Sequence, residues 1–94
     1  MFGFKYTWLK ILETVRKQGP GSTLGKLRRD LDARGFHIPD KELSEDLARM
    51  RDLGLVEVDL IVSGGGEVTV AMDDDARIAI TTAGVRRVPA IVKV

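Results

Sequence analysis

Apolar residues recur at helical spacing through three successive stretches of this chain and then switch to a period of two. In the first stretch Trp8, Leu12 and Val15 share one face, with Phe4 and Ile11 beside it, which predicts a helix over residues 5–18. Gly19-Pro20-Gly21 ends it. Ser22 or Thr23 then caps a second helix over residues 23–34, whose Leu24, Leu27 and Leu31 repeat at i, i+3 and i+7. Gly25 weakens its first turn slightly, and Gly35 closes it. Phe36 and Ile38 read as buried residues of the following turn. The third stretch places Leu43, Leu47, Met50 and Leu53 at i, i+4, i+7 and i+10, one stripe of a helix over residues 39–53. Pro39 suits its first turn, and Gly54 its end. Asp40 and Glu42 lie near its positive pole, Arg49 and Arg51 near its negative pole.

Past Gly54 the pattern is that of strands. Residues 55–62 are apolar and β-branched, Ser63-Gly64-Gly65-Gly66 is a turn, and residues 67–72 alternate through Val68 and Val70. Asp73-Asp74-Asp75 is a second turn, before a strand over residues 77–81 with Ile78 and Ile80 on one face. Thr81-Thr82-Ala83-Gly84 turns away from this sheet, and Pro89 forbids a long helix in the tail, residues 85–94. The expected fold is α+β, a single domain over residues 1–94. Its three-helix core carries a helix-turn-helix pair and is followed by a β-hairpin or three-stranded wing.

Composition narrows the chemistry. Ninety-four residues suffice for one core, and the chain has no cysteine, so disulfides and thiolate metal sites are excluded. No stretch reaches the roughly 20 apolar residues of a bilayer span, and the N-terminus lacks the pattern of a signal peptide, so a cytoplasmic protein is expected. The absence of asparagine and the single glutamine hint weakly at a thermophile. A net charge of +1 conceals segregation: residues 1–39 hold eight basic groups against three acidic, residues 40–75 three against eleven, and residues 76–94 four against none.

The run Leu47-Ala48-Arg49-Met50-Arg51-Asp52-Leu53-Gly54-Leu55-Val56-Glu57, the glycine-rich hairpin and Ile80-Thr81-Thr82-Ala83-Gly84 together resemble the winged-helix transcriptional regulators of the broad MarR, PadR and ArsR type. The likeness spans about residues 6–84. It implies double-stranded DNA binding by a small regulator, with the third helix in the major groove. Lys41, Ser44, Glu45, Arg49 and Arg51 would then approach base edges or adjoining phosphates. Ser22, Thr23, Lys26 and Arg29 would hold the backbone, and Arg77 would contribute from the wing. The chain departs from that pattern in two ways. Pro89 cuts short the long C-terminal helix that many such regulators dimerise through, and an acidic turn stands where a basic wing tip is expected.

The outward positions of the third helix hold Lys41, Glu42, Glu45, Ala48, Arg49 and Asp52, two basic residues against three acidic. Phosphates are ordinarily met by Lys and Arg. That balance supports an alternative, a protein-docking module whose acidic third helix and wing receive a basic partner. Four of the five aromatic residues, Phe2, Phe4, Tyr6 and Trp8, cluster at the N-terminus. Phe2, Phe4 and Tyr6, with the tail residues Ile91, Val92 and Val94, are candidates for a homodimer contact. No cofactor and no enzymatic activity are expected. His37 is the single histidine and reads as a partly buried turn residue. Asp73–Asp75 lacks the alternation of a calcium loop, and no serine lies in a nucleophile elbow.

Overall fold

The computed structural model describes residues 6–88. Helices α1 (Tyr6–Gln18), α2 (Leu24–Ala33) and α3 (Asp40–Asp52) precede strands β1 (Val56–Val58), β2 (Leu60–Val62), β3 (Val68–Val70) and β4 (Ile78–Ile80), and a short α4 (Thr82–Arg87) follows. The order is three helices and then β-hairpins, an α+β arrangement consistent with winged-helix topology. The three helical stripes meet in one core, where Ile11, Leu12, Leu24, Leu27, Leu31, Leu43, Leu47 and Met50 are all but fully buried. Leu55, Val56 and Ile78 close it from the sheet side.

Each helix stops where its sequence signals a stop. At the end of α2 the Phe36 and Gly35 amides donate to the carbonyls of Leu31 and Asp32. At the end of α3, Leu55 and Gly54 repeat the pattern on Met50 and Arg51. Both ends satisfy carbonyls that a helix otherwise leaves open. The second terminus also moves Leu53 off the stripe expected for it. As the C-cap residue of α3 it is 51% exposed rather than buried.

The strand expected over residues 55–62 is two strands. β1 pairs antiparallel with β4, Val58 facing Ile78, and β2 pairs antiparallel with β3, Leu60 facing Val70. Asp59 is the pivot between them. Its amide donates to the Arg77 carbonyl, its carbonyl accepts from the Ala71 amide, and its carboxylate accepts from the Arg77 amide at 3.0 Å. One residue separates β1 from β2, whereas residues 71–77 separate β3 from β4. The longer side must leave the ladder, and it folds over the start of α2. There the Ala76 carbonyl accepts from the Leu24 amide and the Asp74 carbonyl from the Gly25 amide, each at 2.9 Å. Two amides that α2 could not satisfy internally thus find partners in the acidic turn. Gly25 has its own reason to be there: a Cβ at that position would lie 2.9 Å from the Asp74 carbonyl oxygen.

β4 is paired on both sides. Thr23 forms an isolated antiparallel bridge with Arg77, and the Ile78 amide donates to the Ser22 carbonyl. After β4, Thr81 caps α4 by accepting from the Gly84 amide, and its own hydroxyl donates to the Gly54 carbonyl. Gly84 lies against Leu55, whose carbonyl oxygen would be only 2.2 Å from an added Cβ. The Thr-x-x-Gly element therefore ties the end of α3, the base of the wing and α4 at one point. The tail expected from residue 85 opens instead within this helix, which runs to Arg87 and leaves Val88 buried. Among the described residues no helix is long and apolar enough to cross a membrane.

Candidate nucleic-acid interface

Leu43, Asp46, Leu47 and Met50 turn α3 inward. With 100° between residues, Lys41, Glu45, Ala48 and Asp52 run along the middle of the opposite face. Glu42 and Arg49 lie to one side of that line, Ser44 and Arg51 to the other. Lys41, Glu45, Arg49 and Arg51 are exposed, and the Ser44 hydroxyl is half-buried, donating to the Lys41 carbonyl at 3.0 Å. Arg51 is 3.6 Å from Asp52 and borders a depression shared with Glu57 and Leu60 of the wing. Asp46, unremarked in the sequence pattern, is 2% exposed, a carboxylate inside the α3 interface.

The residues expected to hold the DNA backbone from α2 do not gather beside α3. Ser22 is buried, its hydroxyl donating to Gln18 Oε1. The Thr23 side chain is committed as the N-cap, accepting from the Lys26 amide. Lys26 and Arg29 are exposed, yet they share a shallow depression with Gln18, Asp30 and Ala33, on the α1 flank of α2. The other flank of α2, through Arg28, Leu31 and Asp32, lines a cavity with Pro39, which precedes α3, and with Asp40 and Leu43 of that helix.

Arg28 dominates that second flank. Its guanidinium donates to the Met72 carbonyl at 2.7 Å and to Asp74 Oδ1 at 3.0 Å, and its Nε is 3.5 Å from Asp40 Oδ1. One side chain thus joins α2, the first turn of α3 and the acidic turn. Nothing in the local sequence marks this role, because its partners lie 12 to 46 positions away. Phe36 and Ile38, expected to be buried, pack against the core but are only half-buried. His37 between them is exposed and pairs through Nδ1 with Asp32 at 2.9 Å, so the imidazole faces solvent rather than the interior.

The wing carries no basic residue between Val56 and Met72. Its register places Leu60, Val62, Val68 and Val70 on one face and Ile61 with Thr69 on the other. Val62 and Val68 are 66% and 54% exposed, so this apolar face is open toward the hairpin turn, while Val70 at its base is buried. Arg77 lies at its base, 3.6 Å from Asp59. The Arg77 amide, followed by its charge, holds the Asp59 carboxyl below the ordinary range. The Asp73–Asp75 side chains are exposed, although the backbone of that turn is fastened to α2. Among the described residues no group of three or more His, Cys, Asp or Glu could hold a metal ion. Of the aromatic cluster, Trp8 belongs to the core, and Tyr6 is 62% exposed with its ring 6.1 Å from that of Phe36. Phe2, Phe4, Ile91, Val92 and Val94 lie outside the described residues.

No protein-family model, curated protein or solved structure matches this chain.

Proposed function

We propose that the chain is a DNA-binding protein of the winged-helix kind, working as a small transcriptional regulator. The observation that carries this reading is the free outer face of α3, set between α2 and a β-hairpin and offering Lys41, Glu45 and Arg49 side by side. In the groove, Lys41 or Arg49 would donate to guanine O6 and N7, and Glu45 would accept from cytosine N4. Two copies, held through Phe2, Phe4, Tyr6 and the tail Ile91, Val92 and Val94, would address two half-sites. Titration with mixed-sequence double-stranded DNA at about 50 and 200 mM salt tests the reading. Binding that weakens steeply with salt supports phosphate contact, and no binding at the lower salt overturns it.

A second reading rests on the acidic and apolar character of the same region. With Glu42, Glu45, Asp52, Glu57 and Glu67 exposed around the open Leu60–Val62 strand, α3 and the wing suit a basic protein partner. Replacing Glu45 and Asp75 by lysine would break such a complex and would leave or improve DNA binding.

A further inference from the structure

The segregation of charge along the sequence becomes a segregation between two faces. Arg16 and Lys17 of α1 share a depression with Arg34 at the end of α2 and with Val88 after α4. The depression of Lys26 and Arg29 adjoins it, since Gln18 follows Lys17 and Ala33 precedes Arg34. All five cations are exposed, and Arg86 of α4, the helix packed on α1, is exposed as well. The two carboxylates that border these depressions are half-buried and already engaged, Glu13 with Lys10 at 3.3 Å and Asp30 with the Gln18 amide.

Among the described residues none of the Arg16, Lys17, Lys26, Arg29 and Arg34 side chains has a carboxylate partner, whereas Arg28, Arg51 and Arg77 on the other side each have at least one, and the unpaired Lys41 and Arg49 of α3 share their helix surface with the exposed Glu42, Glu45 and Asp52. A guanidinium already paired must give up that partner to take a phosphate, and an unpaired one releases only water and counterions.

We infer that the α1–α2 flank, through Arg16, Lys17, Lys26, Arg29 and Arg34, is a phosphate-backbone surface for double-stranded DNA, separate from the acidic face of α3 and the wing. The inference rests on the DNA reading but moves the phosphate contacts to another side of the molecule. Cations contributed by two helices and not by a groove-sized element hold DNA by its charge and shape rather than by its bases. About five phosphate contacts give a slope of log K against log salt of roughly −4.5.

Three proteins decide the matter: the unaltered chain, a flank variant with Arg16→Ala, Lys17→Ala and Arg34→Ala, and an α3 variant with Lys41→Ala and Arg49→Ala. Each is titrated with mixed-sequence double-stranded DNA over a salt series, after circular dichroism has established that it is folded. The flank variant is expected to bind about a hundredfold more weakly or worse at low salt, its slope shallower by about three. The α3 variant, which loses base contacts rather than phosphate contacts, is expected to bind more weakly but to keep a slope within about one of the unaltered chain's. If instead the α3 variant loses binding and the flank variant does not, the inference falls and the DNA reading stands. If the unaltered chain binds no DNA even at low salt, both fall. Sedimentation supplies the remaining arm. Salt-sensitive self-association, dispersed by the flank changes while DNA affinity is unchanged, would make this surface a seat for the acidic face of a second copy and would overturn the inference.

Discussion

The two flanks of α2 are built from similar residues and put to opposite uses. Arg28 and Arg29 are neighbours in sequence, but the helix sends them to different surroundings. Arg28 is drawn into Met72, Asp74 and Asp40, and its charge is consumed in holding the acidic turn and α3 to the helix. Arg29 remains exposed beside Lys26 on the α1 side. The same residue type is thus a tether on one flank and an available cation on the other. What separates them is the seven-residue excursion between β3 and β4, which brings carboxylates to one side of α2 only. Counting arginines therefore overstates what the wing side can offer a phosphate and understates the concentration of free charge on the α1 side.

The largest effect is expected where the wing side is most tightly joined. Gly84→Ala forces a Cβ toward the Leu55 carbonyl and should cost about 3 kcal/mol, read as a lowered denaturation midpoint. A midpoint equal to that of the unaltered chain would mean that α4 and the wing base are not clamped together. Arg28→Met keeps the stem and removes the guanidinium. Its partners are solvent-accessible, so the expected loss is about 1 kcal/mol, with faster amide exchange at Leu24 and Gly25 if the acidic turn is released.

Asp59 gives a smaller, pH-dependent signal. Its carboxyl is held below the usual value chiefly by the Arg77 amide. The stability it adds is therefore present above the unfolded-state value of about 3.9 and disappears as pH falls through the lower folded-state value. Asp59→Asn keeps an acceptor for that amide but cannot titrate, so its stability should fall less than that of the unaltered chain between about pH 5 and pH 3. Equal slopes in the two proteins would remove the pivot's electrostatic part. The smallest change sharpens the contrast most. Arg16→Ala and Arg29→Ala should each leave stability within about 0.5 kcal/mol, because neither side chain has a carboxylate partner among the described residues. Thermal melts that drop by as much as for Arg28→Met would show that the flank cations are structural after all.

Much of this architecture was legible in the chain. Three apolar stripes at helical spacing, the breaks at Gly19-Pro20-Gly21, Gly35 and Gly54, and the change to a period of two determine three helices followed by strands, because these signals act within a few residues of one another. The core residues of α1 and α2 and most of α3 follow from the same periodicity. Leu53 departs from it because the stripe outlasts the helix by one residue. The split at Asp59 was hidden, since a run of strand-forming residues, even one broken by Glu57 and Asp59, does not say that its partner strand detours through residues 71–77. Gly25 looked like a weakness in a helix and is a point of contact, and Thr81 and Gly84 show their purpose only once Gly54 and Leu55 are beside them. The sequence by itself determined the elements, their order and the division of its charge into blocks. Only the tertiary structure decided which cations are paired and which remain open, because ion pairing depends on distances across as many as 46 positions of the chain, and local pattern carries no record of them.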